Sequence, residues 1–166
     1  MDWNSVVKDL SPKLWRYFCF RFDPEMSREL VQEVLLRLVR SVAESKFQPD
    51  RANLATFAYG VARNVSLEAM KARRRSFDQE VDAESLQPRA DEMLSAAQES
   101  ELLRRAIGTL SENEAQILNL MIDKYLSLSE IADISQMPLG TVKNHIFRAK
   151  QKIKDCFKAW RFYDEG

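Results

Sequence analysis

The sequence predicts an all-α fold: two small helical domains joined by an acidic linker. Three observations lead there. Only 4 Gly and 5 Pro occur in 166 residues, so helix breakers are scarce. Apolar residues recur at steps of three and four along most of the chain, the period of a helix with one buried face. No alternating apolar–polar run of strand length is present.

Ser11-Pro12 reads as the first helix start, with Ser as N-cap and Pro in the first turn. Leu14, Phe18 and Phe22 follow at steps of four. Asp23-Pro24 repeats the start signal. Behind it, Leu30, Val34, Leu38 and Val42 form one stripe, widened by Val31 and Leu35, in a helix that ends near Lys46. The segment Phe47–Ala52 contains Pro49 and Asp50 and reads as a loop, after which Asn53 can cap a third helix. Leu54, Phe57, Val61, Val65 and Ala69 mark that helix's buried face, and it runs to Arg75. The first domain is thus placed at 1–75.

Residues 76–96 lose the helical period and read as the linker. The second domain, 97–166, opens with the stripe Leu102, Leu103, Ala106 and Ile107. Ser111 with Glu114, and Ser127 with Glu130, have capping-box spacing. A short helix through Ile131 and Ile134, a turn at Ser135–Pro138 and a last helix complete the chain. Val142, Ile146, Ala149 and Ile153 form the last helix's inner face.

The charge is balanced overall, with 25 basic and 25 acidic residues, but it is unevenly placed. Residues 1–75 carry 14 Lys/Arg against 9 Asp/Glu, a net +5. Residues 76–100 carry 1 against 7, a net −6. Residues 139–161 hold 7 basic residues and only Asp155 as an acid. Basic modules flanking an acidic connector fit a polyanion partner, and they fit solvated helix faces about equally well.

The two cysteines, Cys19 and Cys156, stand far apart, and His145 is the only histidine, so no zinc site of three or four Cys/His ligands can be assembled. They read as reduced thiols of a cytoplasmic protein. No cationic start precedes an apolar run, and no stretch approaches the roughly 18 apolar residues of a span, so neither a signal peptide nor membrane insertion is expected. No nucleophile–base pair or acidic constellation stands outside the linker, so no enzyme, metal or cofactor is expected either. The free chain is expected to be a monomer.

Residues 128–154 have the grammar of a helix-turn-helix: a short helix, a tight turn and a longer helix with a basic outer face. With Val142 and Ile146 turned inward, Thr141, Asn144, Phe147, Arg148 and Gln151 face out, with Lys143 on one flank and His145 on the other. Arg and Lys can donate to guanine and Asn can pair with adenine, while Lys150, Lys152 and Lys154 are set toward phosphates. Phe147 suits either a thymine methyl or packing within the module.

The stretch Leu110-Ser-Glu-Asn-Glu-Ala-Gln-Ile-Leu-Asn-Leu, with Leu128-Ser-Glu-Ile-Ala-Asp-Ile and Pro138-Leu-Gly-Thr-Val-Lys-Asn-His-Ile-Phe-Arg-Ala-Lys, resembles region four of bacterial sigma factors. Glu29-Leu-Val-Gln-Glu-Val-Leu-Leu-Arg-Leu resembles their region-two docking helix, and Phe47 through Asn64 resembles their strand-opening segment, ending in the same Ala-Arg-Asn. The chain is similar to the small extracytoplasmic-function (ECF, group IV) subfamily.

The resemblance implies promoter recognition and strand opening in transcription initiation, with core RNA polymerase and promoter DNA as partners and an anti-sigma factor as regulator. It implies core-polymerase contacts at Leu30, Gln32, Glu33 and Leu36. It implies minus-ten contacts at Phe47, Asp50, Tyr59, Arg63, Asn64 and Lys71, and minus-thirty-five contacts at Thr141, Lys143, Asn144, Phe147 and Arg148. Phe57 stands where the family often has Trp, and it reads as a core residue. Lys143-Asn144-His145 departs from the family's commoner recognition triplet, so the preferred upstream sequence does not carry over. The family's linker runs through the polymerase's active-site channel, which the acidic 76–100 can enter by mimicking RNA charge. The alternative function is a helix-turn-helix regulator that never joins the polymerase. It accounts for 128–154 and leaves Leu30–Leu36 and Phe47–Asn64 unexplained.

Overall fold

In a computed structural model, residues 1–49, 53–77 and 94–164 are described. Among them, the regular structure is helical throughout: α1 (Trp3–Cys19), α2 (Pro24–Ala43), α3 (Leu54–Phe77), α4 (Leu94–Gly108), α5 (Glu112–Met121), α6 (Leu128–Ser135) and α7 (Leu139–Asp164). Most of the linker and Asp50 lie outside the described residues.

The chain divides into two compact units. One comprises Met1–Val81 with Asn119–Met137, and the other Asp82–Leu118 with Pro138–Gly166. The first helix of the helix-turn-helix therefore clusters with α1–α3, while α7 clusters with α4.

In the first unit, α1 starts at Trp3 rather than at Ser11. The Asp2 carboxylate accepts the Asn4 N–H at 3.1 Å as N-cap, and Pro12 lies inside the helix. The Ser11-Pro12 expectation misplaced this start: a cap nine residues upstream begins the helix, and the helix carries on through the proline despite its missing donor. Asp23 caps α2 as expected, accepting the Met26 N–H at 2.8 Å, with Pro24 in the first turn. α2 ends at Ala43, before Lys46. The Lys46 N–H reaches back to the Ser41 carbonyl at 2.8 Å and that of Ser45 to Val42 at 3.1 Å, a Schellman closure with Ser45 at φ 57° where glycine is usual. Asn53 caps α3 through its side-chain oxygen, 2.8 Å from the Thr56 N–H.

The core of this unit holds Leu10, Leu14, Tyr17 and Phe18 of α1, Leu30, Val31, Val34 and Leu38 of α2, and Ala58, Tyr59, Ala62 and Val65 of α3. The buried face of α3 is rotated from the expected stripe. Leu54, Phe57, Val61 and Ala69 are half-buried, while Thr56, Tyr59 and Ser66 are buried. The cause is tertiary: residues 119–137 cover a side of α3 that carries polar groups, and those groups pair there instead of with water.

The second unit has a core of small and branched residues: Ala106, Ala115, Ile117, Val142 and Ala149. The expected capping box at the start of α5 forms in full. Ser111 Oγ accepts the Glu114 N–H at 3.2 Å, and the Ser111 N–H donates to Glu114 Oε2 at 3.0 Å.

Candidate nucleic-acid and polymerase interfaces

Three side-chain groups were singled out by the sequence, and each lies on a different helix face. On α2, Leu36 is 55% exposed and Val39 45% exposed, with Gln32 exposed beside them. Exposed apolar groups beside polar ones are the composition of a protein-binding patch. Leu30 is different: it is buried in the core with Val34 and Leu38, while Leu36 and Val39 face solvent. Val39 escaped the sequence reading, although an apolar residue three positions beyond Leu36, off the inner stripe, was its signal.

Glu33 is half-buried and held by Arg37 Nε at 2.9 Å. Arg37 also grips both oxygens of Glu68 on α3, at 2.6 and 3.2 Å. The hydrogen bonds from Glu68 and Glu33 push the Arg37 guanidinium's pKa up, and the Arg37 bond holds the Glu68 carboxyl below its usual range. This Glu33–Arg37–Glu68 bracket fixes the register of α2 on α3 at the edge of the patch.

The minus-ten candidates are divided. Asn64 and Lys71 are exposed, with Arg73, Arg74 and Arg75 continuing the basic surface. Arg63 is half-buried, and its Nε is buried without a hydrogen-bond partner. Phe47 is half-buried and meets Phe57 at a tilt with centroids 5.3 Å apart, so the half-buried Phe57 packs on the loop before α3 rather than deep in the core. Asp50 lies outside the described residues.

Tyr59 is 2% exposed. Its hydroxyl donates to Asp123 Oδ2 at 2.7 Å and accepts from Arg16 Nη2 at 3.3 Å, and its ring meets Tyr17 edge-on at 5.9 Å. Burial, and then the Asp123 hydrogen bond, raise the Tyr59 pKa; burial alone pushes that of Tyr17 up to about 12. Burial works against the Asp123 carboxylate, but the Tyr59 hydroxyl, the Tyr125 N–H and the nearby Lys13 and Arg16 outweigh it and hold the pKa below its ordinary value. In this structure Tyr59 is engaged, and no base can reach it.

The helix-turn-helix segment begins with Ser127 capping α6, its Oγ accepting the Glu130 N–H at 3.1 Å. α6 ends at Ser135; its C-cap Gln136 is left-handed at φ 57°, and the Met137 N–H closes on the Ala132 carbonyl at 3.1 Å. Such a reversal within two residues sets the tight turn into α7. On α7, Val142 and Ala149 are buried. Lys143, Asn144, Arg148 and Gln151 are exposed, and Thr141 and His145 half-buried. Phe147 is 69% exposed, which decides against packing within the module.

Lys152 departs from its expected phosphate role. It is 2.8 and 3.1 Å from the two oxygens of Glu114, whose side chain is 4% exposed. Burial alone would raise the Glu114 pKa; the Lys152 bond, the Ser111 N–H and nearby His145 more than offset it, and the pKa lies below its usual value. The outer basic face is therefore Lys143, Arg148, Lys150 and Lys154.

A helical module with exposed apolar residues on α2, followed by a helix-turn-helix whose second helix has a basic, solvent-facing side, has the arrangement of a multi-module DNA-binding transcription protein. The comparisons with known proteins narrow this class. Residues 6–76 match the family model "Sigma-70 region 2" and residues 100–153 match "Sigma-70, region 4". The chain is 30% identical over 146 residues to the RNA polymerase sigma-H factor of Pseudomonas aeruginosa, covering 81% of this chain and 74% of that protein. It is 27% identical over 125 residues to the ECF RNA polymerase sigma factor EcfG of Rhodopseudomonas palustris, covering 75% and 67%. It is also 30% identical over 112 residues to the ECF RNA polymerase sigma factor RpoE of Cereibacter sphaeroides, covering 65% and 60%. Among solved structures, it shares its fold with the sigma factor RpoE in complex with the anti-sigma factor NepR from Bartonella quintana. The TM-score is 0.72 at 18% identity, with 95% of this chain and 97% of that one covered.

The chain belongs to the ECF RNA polymerase sigma factors. It acts in transcription initiation, with core RNA polymerase and promoter DNA as partners, and is not an enzyme. Among the described residues, no helix is long and apolar enough to cross a membrane.

Proposed function

We propose that α2 docks on core polymerase through Gln32, Glu33 and Leu36, with Leu30 supporting them from the core. The α3 surface at Arg63, Asn64 and Lys71, together with Phe47 and Asp50, captures the opened minus-ten strand, and the buried Tyr59 supports that surface from within the core. Thr141, Lys143, Asn144, Phe147 and Arg148 on α7 read the minus-thirty-five duplex. In this division, residues 1–75 grip and open, 97–166 anchor, and 76–96 tether the two so that two weak sites add through effective concentration.

The observation that carries the reading is the outer face of α7: Phe147, 69% exposed, stands with exposed Asn144 and Arg148, so an apolar ring, an amide and a guanidinium are offered together to a groove. A thymine methyl is the apolar group a major groove offers. We infer that the protein acts in the cytoplasm and that an anti-sigma factor covers its α2 patch; the RpoE of Bartonella quintana forms a complex with the anti-sigma factor NepR.

The test is in vitro transcription from a promoter library, with core polymerase alone and with this protein. Asn64→Ala should slow strand opening while sparing binding to an upstream duplex. Arg148→Ala should weaken upstream binding by about 1–3 kcal/mol, the worth of a base-edge contact. Equal transcription by both variants overturns the site map.

A further inference from the structure

The two flanks of α7 are unequally charged. Lys143, Lys150 and Lys154 recur at steps of seven and four, which sets them in one row along the helix. Thr141, His145 and Lys152 recur at steps of four and seven and form the row on the other flank. Asn144, Arg148 and Gln151 stand exposed between the rows. A helix lying in a major groove has a sugar-phosphate backbone on either side, so each row meets one strand. The first row presents three exposed amines. In the second, Lys152 is held by both oxygens of the nearly buried Glu114, at 2.8 and 3.1 Å. What this flank has left for a strand is the Thr141 hydroxyl and the imidazole of His145, the only histidine in the chain.

His145 spans the boundary between interior and surface. The residue is half-buried, and its Nδ1 is buried with no hydrogen-bond partner. A covered ring nitrogen left unpaired is destabilising and asks for a reason. The carboxylate on this side of α7 is Glu114, which is tied to Lys152 seven residues beyond His145 and lies close enough to attract a charge on the ring. The other acid of α5 near it in sequence is Glu112. α4 also packs against α7 and brings Glu99 and Glu101, the latter bound by Arg105 at 3.1 Å and by Arg104 at 3.8 Å. On α7 itself, Arg148 and Lys152 follow His145 by one and two turns. A neutral imidazole has one N–H donor and an imidazolium has two. The charged ring can therefore turn one donor toward Glu114 and the other outward.

We propose that His145 is a proton-dependent contact to a DNA phosphate. Charged, it gives its flank of α7 the cation that Lys152 does not supply; neutral, it leaves that strand without one. The proposal rests on the reading of α7 as the duplex-reading helix. Glu114 is the positioning residue, fixed by the Ser111 N–H and Lys152, and it steadies the imidazolium from the inner side. An imidazole changes charge between about pH 5 and 8, while lysine and arginine keep theirs throughout. Binding to the upstream duplex thus takes up a proton and strengthens as pH falls through that window. Phosphate contacts carry no base preference, so pH sets the strength of anchoring and leaves the preferred sequence unchanged.

The test uses the full chain and a labelled duplex carrying the minus-thirty-five sequence of a promoter recovered from the library, at fixed ionic strength. Affinity should rise about fivefold from pH 8 to pH 6, as one added charged phosphate contact gives. The dependence of log affinity on log salt should be steeper by about one at pH 6. His145→Arg should bind tightly at both pH values, and His145→Gln weakly at both. A flat profile for the natural chain overturns the proposal, and so does a His145→Gln protein that keeps the full pH response.

Glu114→Gln tests the positioning role. It should move the midpoint of the response to lower pH, because the imidazolium loses its carboxylate, and an unmoved midpoint overturns that role. Arg148→Ala separates the contact from the reading beneath it. If that change weakens duplex binding at every pH while the natural chain's profile is flat, α7 still reads the duplex and the His145 contact alone fails. If Arg148→Ala has no effect at any pH, the reading of α7 fails first.

Discussion

In the α1–α3 unit, Tyr17, Phe18 and Phe22 run edge-to-face, with centroids 5.4 and 6.3 Å apart, and Leu14 and Leu38 close around them at 1% exposure or less. In the unit that contains α4 and α7, the buried apolar residues among those described are Ala106, Ala115, Ile117, Val142 and Ala149, none of them aromatic, and the nearly buried Glu114 is paired with Lys152. Aromatic rings bury large areas whatever the pH. A charge pair that is half inside contributes only while both partners keep their charge. The unit proposed to grip the polymerase and strain a DNA strand thus rests mainly on an apolar core, with Asp123 its one nearly buried carboxylate among the described residues, while the unit proposed to lie on duplex DNA has no aromatic core and relies more on its charge pair.

The sharpest way to break this contrast is Phe18→Ala. It should destabilise the α1–α3 unit by about 3–5 kcal/mol, the usual cost of emptying an aromatic core site. Denaturant unfolding checks it, and a cost near that of a surface change means the aromatic chain is not the core it looks to be.

Glu114→Gln should cost the other unit about 1–3 kcal/mol, because Lys152 and the Ser111 N–H lose a charged acceptor. The sign of its pH dependence follows from its lowered pKa. The Glu114 contribution is fully present above the ordinary value of 4.5 and is lost as pH falls through the lower folded value. Acid titration of unfolding should therefore be steeper for the natural chain than for Glu114→Gln, and parallel curves would remove Glu114 from the account.

Gln136→Gly probes the turn between α6 and α7. The left-handed φ of 57° costs glutamine strain that glycine avoids, so the change should add up to about 1 kcal/mol, read as a higher thermal midpoint. Arg37→Gln is the smallest: its partners Glu33 and Glu68 are 44% and 58% exposed, and screening limits the loss to about 1 kcal/mol or less. A larger loss, measured with added salt as a control, would mark the bracket as more than a surface pair.

The sequence carried most of the local structure and part of the sites. Asp23, Asn53, Ser111 and Ser127 were recognisable as caps because a cap is a short-range relation: one side-chain oxygen and a backbone N–H two or three residues away. The outward side of α7 was legible for the same reason, since Val142 and Ala149 fix its rotation. Pro12 was misread because a start signal and a tolerated internal proline look alike without the upstream cap at Asp2. Lys152 was misread as a phosphate contact because its partner, Glu114, is 38 residues away.

By itself, then, the sequence determined the helices, the helix-turn-helix, the acidic connector and the family, all of which follow from periodicity, capping and motifs confined to neighbouring residues. The tertiary structure alone decided which side of α3 is buried, that Tyr59 faces Asp123 across 64 positions, and that Leu30 belongs to the core while Leu36 and Val39 face solvent. An apolar residue announces its burial through its own chemistry. A tyrosine hydroxyl or a carboxylate is equally at home in water or against a partner, and only the folded chain shows which one it has met.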